Sequence, residues 1–189
     1  FLAKHKLPGI FRSQPPPRNR LFENGEGTLF QNWMQRKHLS RFVLGPDFEH
    51  HSGLGLDAYV TATSPIRKYI DLVTQRQLRA ALGLEKAYRR TEIEQILQML
   101  KQPMATVFRL QNNRHRYWLL KYLEKRVGKK EEAIVIGKRR NNFAILMAEY
   151  MLECTIPQPS GTILQPEDLV QVTIQHVSAR NDVLNVFMG

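Results

Sequence analysis

From Glu132 onward the sequence leaves helical periodicity and breaks into five short β-forming runs. These are Ala133–Gly137, Phe143–Ala148, Met151–Ile156, Leu169–Ser178 and Val183–Phe187. Asn141-Asn142 and Arg180-Asn181-Asp182 supply tight turns between them, because Asn and Asp tolerate left-handed backbone. Five short strands in ~60 residues suit a small OB-type barrel. Before that point helices and loops predominate, with two short strands among them. The expectation is an α+β chain with a helical first part at 1–128 and a five-stranded OB-type β-barrel at 129–189.

The first part is punctuated by proline and glycine. Residues 1–7 read as the last turns of a helix, stopped by Pro8-Gly9, with a short strand at Ile10-Phe11. The chain starts without Met and as if in mid-helix, which reads as a fragment or a processed chain. Pro15-Pro16-Pro17 forbid a helix interior and favour extended backbone, either a surface linker or a basic strap beside a polyanion. Residues 28–44 read as an amphipathic helix ended by Gly45-Pro46, with Trp33 a core residue in preference to a stacking platform. A strand is expected over Leu54–Ala62. His50 and His51 are read as solvent-exposed, since no carboxylate or further His stands at a ligand-like spacing.

Ser64-Pro65-Ile66 opens the next helix. A Ser or Thr side chain can cap a free amide, and proline at the first position loses nothing by lacking its N–H. This helix runs to about Leu82 and stops at Gly83. Thr91-Glu92-Ile93-Glu94 reads as a capping box. Ile93, Ile96, Leu97 and Leu100 then give one buried face. Pro103 interrupts, and a basic helix follows from about Met104 to Arg126. Its Tyr117, Trp118 and Tyr122 are read as packing.

Charge narrows the partner. The chain has a net charge of +11, and residues 109–140 carry eleven Lys or Arg against three Glu, +8 of that total. Each cation that neutralises a phosphate releases a counterion, so nucleic acid is the first candidate and an acidic membrane surface the second. Lys138-Arg139-Arg140 falls at a strand–strand loop with Phe143 just beyond. Charge for the backbone and a ring for the base is an arrangement that tracks a single strand. Phe143 fits equally as barrel core.

One cysteine, Cys154, leaves no intrachain disulfide and no Cys-based zinc site. It lies in an apolar run and reads as strand packing in a reducing cytoplasm. No apolar run approaches the ~20 residues needed to span a bilayer.

The segment with the most chemistry is Tyr59-Val60-Thr61-Ala62-Thr63-Ser64-Pro65-Ile66-Arg67-Lys68-Tyr69-Ile70-Asp71. Read as a strand leading into a helix start, it offers outward amides and a dipole that favours an anion. Arg67 and Lys68 stand in the first turn, where cations oppose the dipole unless a phosphate meets them. Arg67 can grip a phosphate with its planar fork. Asp71, one turn on, is positioned to hold that guanidinium. The same residues also fit an ordinary capped helix with an Arg–Asp surface pair.

Gly53-Leu54-Gly55-Leu56-Asp57-Ala58-Tyr59, then Thr63-Ser64-Pro65-Ile66-Arg67-Lys68-Tyr69 and Asp71-Leu72, strongly resembles the signature of the ribonuclease II (RNB-type) catalytic domain. Leu7-Pro8-Gly9-Ile10-Phe11-Arg12 is similar to a further family segment. The helices from 65 to 126 followed by a barrel resemble the end of that domain and its S-one type OB-fold RNA-binding domain. The resemblance implies a processive 3′-to-5′ exoribonuclease that hydrolyses single-stranded RNA to nucleoside 5′-monophosphates with Mg²⁺. It assigns Arg67 to the scissile phosphate, and Tyr59, Ser64, Lys68 and Tyr69 to the RNA contact region beside it. Two positions depart from the pattern, Thr61 and Gln75, where histidines are frequent. The family's aspartate cluster has no counterpart, since Asp47, Asp57, Asp71, Asp168 and Asp182 are scattered. The expectation is therefore a chain inactive alone, completed by a missing N-terminal part of the enzyme, or else a non-catalytic RNA-binding module.

Overall fold

A computed structural model describes residues 1–2, 4–22, 27–158 and 163–189. The chain divides into two compact units, 1–25 with 33–106, and 26–32 with 107–189.

In the first unit, strand β1 (Phe11–Ser13) pairs antiparallel with β2 (Val43–Gly45), Arg12 opposite Leu44. Helix α2 spans Tyr69–Ala81 and helix α3 begins at Arg90. Ile10, Val73, Ile93 and Ile96 form the buried core, with Leu44, Ile70, Tyr88, Leu97 and Leu100 packed on it. Complete burial of an Ile or Val side chain contributes about 1.5–3 kcal/mol. Gln77 is fully buried within this unit. Its amide nitrogen donates to the Pro8 and Tyr88 carbonyls at 2.7 and 3.2 Å, and its oxygen accepts the Tyr88 N–H at 2.7 Å. One side chain thereby ties residue 8 and residue 88 to α2.

Several expectations change here. The described residues of the 1–7 segment, which exclude Ala3, form turns and no helix. Helix α1 spans only Leu29–His38, not 28–44. It starts from a reciprocal cap: the Gln31 N–H donates to Thr28 Oγ1 at 3.2 Å, and the Thr28 N–H to Gln31 Oε1 at 2.9 Å. It ends on Arg36, Lys37 and His38, cations that suit the negative end of the helix dipole. Trp33 is partly buried.

The strand expected over 54–62 is absent; that stretch is a turn-rich loop built around Gln14. Gln14 Oε1 accepts the Gly53 N–H at 3.1 Å and Gln14 Nε2 donates to the Ser40 carbonyl at 2.7 Å. A Cβ on Gly53 would lie 2.4 Å from Gln14 Oε1, so a side chain there would push the Gln14 amide aside. Gly55 has φ +63°, the left-handed region. His51 is buried, against expectation, with its ring edge-on to Tyr59 at 5.5 Å; His50 is exposed.

Helix α3 runs unbroken from Arg90 to Leu123 and contains Pro103. Its cap sits two residues before the expected one and runs one way only: Glu92 Oε2 accepts the Arg89 N–H at 2.7 Å, while Glu94 pairs with Arg90 at 3.0 Å. That backbone hydrogen bond from Arg89 is the main reason the Glu92 carboxyl lies below its ordinary pKa.

In the second unit, α3 ends in a 3₁₀ turn (Glu124–Arg126), and Gly128 at φ +82° turns the chain into the barrel. The strands are β3 (Lys130–Arg139), β4 (Asn142–Met147), β5 (Leu152–Pro157), β6 (Leu169–Ser178) and β7 (Val183–Met188). They pair antiparallel in the order β5-β4-β3-β6-β7. Register shifts between Val135 and Gly137 and between Ile174 and His176 mark bulges. Such bulges bend and twist a strand, which lets five strands curl towards closure. Ala133, Val135, Ile145, Met147, Ile156, Val172 and Ile174 fill the interior, and Leu120 and Leu123 of α3 are buried in the same core. The fold is α+β with a nearly closed five-stranded OB-type barrel.

Candidate anion site and nucleic-acid interface

Two surfaces carry the residues singled out by sequence. The first is the turn preceding α2. Helix α2 starts at Tyr69, four residues later than Pro65, and Lys68 is its extended N-cap residue at φ −129°. Asp71 in the first turn is fully buried. Its Oδ2 accepts the Ser64 N–H at 2.9 Å and its Oδ1 accepts the Thr61 hydroxyl at 2.6 Å. Gln75, one turn further, donates to the Ala62 carbonyl at 2.7 Å. Asp71 and Gln75 on one helix face thus clamp residues 61–64.

The Ser64 carbonyl accepts the N–H groups of Arg67 at 3.3 Å and Lys68 at 3.0 Å. These amides are satisfied within the turn. Of the amides that the sequence leaves free, these two are taken up within the turn, whereas the first turn of α2 has no side-chain cap.

Asp71 does not hold Arg67; its two oxygens hold the turn on which Arg67 stands. Arg67 is exposed, and its guanidinium donates to Ser64 Oγ at 3.3 Å. Lys68 and Tyr69 are exposed as well. Among the described residues, no ion pair engages Arg67 or Lys68. Tyr59 is half-buried, and its carbonyl accepts the Arg12 N–H at 2.8 Å. Arg12 lies over the Phe42 ring at 3.7 Å. The structure therefore brings Ser64, Arg67, Lys68 and Tyr69 together on one pinned turn.

Among the described residues, no three His, Cys, Asp or Glu side chains gather where they could hold a metal ion. The Mg²⁺ implied by the resemblance does not fit the residues described.

The second surface is the barrel. Lys138 and Arg140 are exposed at the β3–β4 turn, Arg140 at φ +49°. Arg139 pairs with Glu153 at 2.7 Å. Phe143 is only 4% exposed and belongs to the barrel core, so it offers no ring face to a base. Arg116 pairs with Asp182. These two ion pairs flank an open cleft of about 480 Å³, with Cys154, Thr155 and Asn185 on its walls. Burial pushes the Cys154 thiol up to about 12. Tyr117, Trp118 and Tyr122 are 41%, 62% and 48% exposed and do not pack as expected.

Helices followed by a five-stranded OB-type barrel, with a cation-bearing turn pinned by a buried aspartate, define an α+β barrel-bearing class of chain. The RNB domain model matches residues 1–84. That match identifies residues 1–84 as RNB-type, as in the ribonuclease II family. It is 30% identical over 193 residues to the chloroplastic/mitochondrial ribonuclease II of Arabidopsis thaliana, covering 97% of this chain and 24% of that protein. The Dss1 exoribonuclease of Candida glabrata, in an active-site mutant form, superposes with TM-score 0.81 at 20% identity, covering all of this chain and 26% of that one. RNase R of Mycoplasma genitalium, solved with ribose-methylated single-stranded RNA, gives TM-score 0.70 at 14% identity over all of this chain and 39% of that one. The chain spans about a quarter of the length of the curated relatives it matches. Among the described residues, no helix is long and apolar enough to cross a membrane.

Proposed function

We propose that the chain is part of a processive exoribonuclease that hydrolyses single-stranded RNA from the 3′ end to nucleoside 5′-monophosphates. Residues 1–128 supply the end of its catalytic domain and residues 129–189 its RNA-binding barrel. Arg67 contacts the scissile phosphate, and Ser64, Lys68 and Tyr69 shape the RNA path beside it, with Tyr59 behind them. Lys138, Arg139 and Arg140 grip the strand further along. In this reading Mg²⁺ is held by carboxylates of the enzyme's N-terminal part, outside these residues, and the reducing compartment suited to a single unpaired cysteine is the cytoplasm.

One observation carries the reading. Arg67 and Lys68 stand exposed, without an ion pair among the described residues, on a turn fixed by the buried Asp71. A rigid mount for two cations is what a transferring phosphoryl group needs from a positioned donor.

The test is decay of 3′-labelled and 5′-labelled single-stranded RNA by the full-length enzyme. Arg67→Ala is expected to lower turnover about 10²–10³-fold, as loss of one transition-state donor does, while RNA affinity changes little. A loss confined to affinity would reduce Arg67 to a positioning contact. Release of label from the 5′ end first would reverse the polarity.

A second reading, a non-catalytic RNA-binding module, is favoured by the concentration of +8 charge in 109–140. The two separate on the full-length enzyme: binding with a steep salt dependence and no turnover supports the module.

A further inference from the structure

The outward face of α3 in the second unit has no role in the reading above. Leu120 and Leu123 turn into the barrel core. On the opposite side of the helix, Leu110, Arg114, Trp118, Lys121 and Tyr122 follow at spacings of four, four, three and one. That sequence keeps them on one stripe of a 3.6-residue helix.

The stripe is exposed. Trp118 is 62% exposed, more than any other aromatic residue of the second unit, and Tyr122 is 48% exposed. The Tyr117 ring stands edge-on to Trp118 at 5.3 Å and 81°. Tyr122 is flanked by the Tyr150 ring at 6.1 Å and by the Arg126 guanidinium at 5.9 Å. Arg126 is itself anchored to the buried Glu131 at 2.9 Å. Two rings one helical turn apart are thus held in place while leaving large areas open to solvent.

Charge selects the occupant. From residue 95 to 123 the sequence contains no Asp or Glu, yet it carries Lys101, Arg109, Arg114, Arg116 and Lys121. The first carboxylate after that stretch, Glu124, is engaged by Lys121 at 2.7 Å and by the Ala179 N–H at 2.9 Å. A face of planar rings beside the exposed Arg114, with its nearby carboxylate Glu124 already neutralised by Lys121, complements a polyanion whose units are themselves planar. Bases stack on the rings and phosphates meet the guanidinium and ammonium groups.

We propose that Trp118 and Tyr122, braced by Tyr117 and flanked by Arg114 and Lys121, form a base-stacking platform for single-stranded RNA on α3, separate from the Arg67 turn and the β3–β4 turn. The inference rests on the RNA reading above. It adds a contact point that recognises bases by their π-faces, tolerant of sequence and favouring adenine for its larger stack.

The test is fluorescence-anisotropy binding of short oligoadenylate, oligouridylate and an abasic ribose-phosphate strand to the 189-residue chain. Trp118→Ala is expected to weaken oligoadenylate about tenfold, oligouridylate less, and the abasic strand not at all. Trp118→Phe should recover most of the loss. The slope of affinity against salt should stay unchanged, since no cation is removed. Trp118 is exposed, so these variants should melt with the parent. In a Trp33→Phe background the remaining indole should be quenched by oligoadenylate and not by the abasic strand. Equal affinity of parent and Trp118→Ala for oligoadenylate would overturn the platform and leave the face to a protein partner, with the RNA reading intact. Failure of the parent chain to bind any of the three strands would overturn both.

Discussion

The buried carboxylate of Asp71 accepts the backbone N–H of Ser64 at 2.9 Å while its other oxygen accepts the Thr61 hydroxyl at 2.6 Å. This contact fixes the turn that carries Arg67 and Lys68. Removing it leaves a partly buried amide and a partly buried hydroxyl without acceptors. Asp71→Ala is therefore expected to cost about 2–3 kcal/mol, the range for hydrogen bonds to a charged group. Asp71→Asn should cost less, because its oxygen can still take the Ser64 N–H and its amide can donate to the Thr61 oxygen. Urea unfolding with an unchanged m-value measures both. Equal stability of Asp71→Ala and the parent would show that the turn is held by something else.

Gln77 makes a parallel prediction at the other end of the same helix. Its fully buried amide satisfies two carbonyls and one N–H. Gln77→Leu keeps roughly the volume and removes all three bonds. The expected loss is about 2–4 kcal/mol, from unsatisfied buried backbone groups. Hydrogen exchange should rise at the Tyr88 amide before it rises in the barrel, since residue 88 loses its anchor to α2.

The contrast between the two halves shows what sequence can carry. The barrel strands were legible to within one to three residues at each end, and β6 coincides with the expected Leu169–Ser178. Alternating apolar positions and left-handed turn residues encode that information locally. The signature at 53–72 was equally visible as a string. Its geometry was not, because it depends on Gln14, some forty residues earlier. A β-rich run such as Tyr59–Ala62 reads as a strand by propensity, yet tertiary hydrogen bonds to Arg12, Asp71 and Gln75 make it a loop. Helical spacing pairs Asp71 with Arg67, because it cannot see a turn folding back onto the helix start. Pro103 reads as a break in sequence, yet it removes only one N–H and the helix is anchored by packed residues before and after it. Tyr117, Trp118 and Tyr122 read as packing in sequence because composition does not say which helix face meets the barrel.

Cys154 gives a pH prediction. Burial raises its thiol from the ordinary 9.0 to about 12. The charged form is the one disfavoured in the fold. Between about 9 and about 12 the unfolded chain loses this proton while the folded chain keeps it, so stability falls as pH rises through that window and is unaffected below it. Cys154→Ala should flatten that part of the stability profile. Iodoacetamide labelling at pH 8 should be slow in the native chain and fast in urea, since the thiolate is the reacting species.

The β3–β4 turn gives a test by ionic strength. Lys138 and Arg140 are exposed, and Arg139 is held by Glu153. If each of the first two meets one phosphate, removing it reduces the slope of log affinity against log salt by about 0.7, the value for a single strand. Lys138→Ala and Arg140→Ala should each do so, for oligoadenylate and oligouridylate alike, because phosphate contacts carry no base preference. Arg139→Ala should weaken binding by a smaller margin, as its guanidinium is already shared with a carboxylate. Phe143→Leu should leave RNA affinity unchanged and lower stability, since its ring lies in the barrel core. Measured slopes that match the parent in both Lys138→Ala and Arg140→Ala would remove this turn from the RNA path.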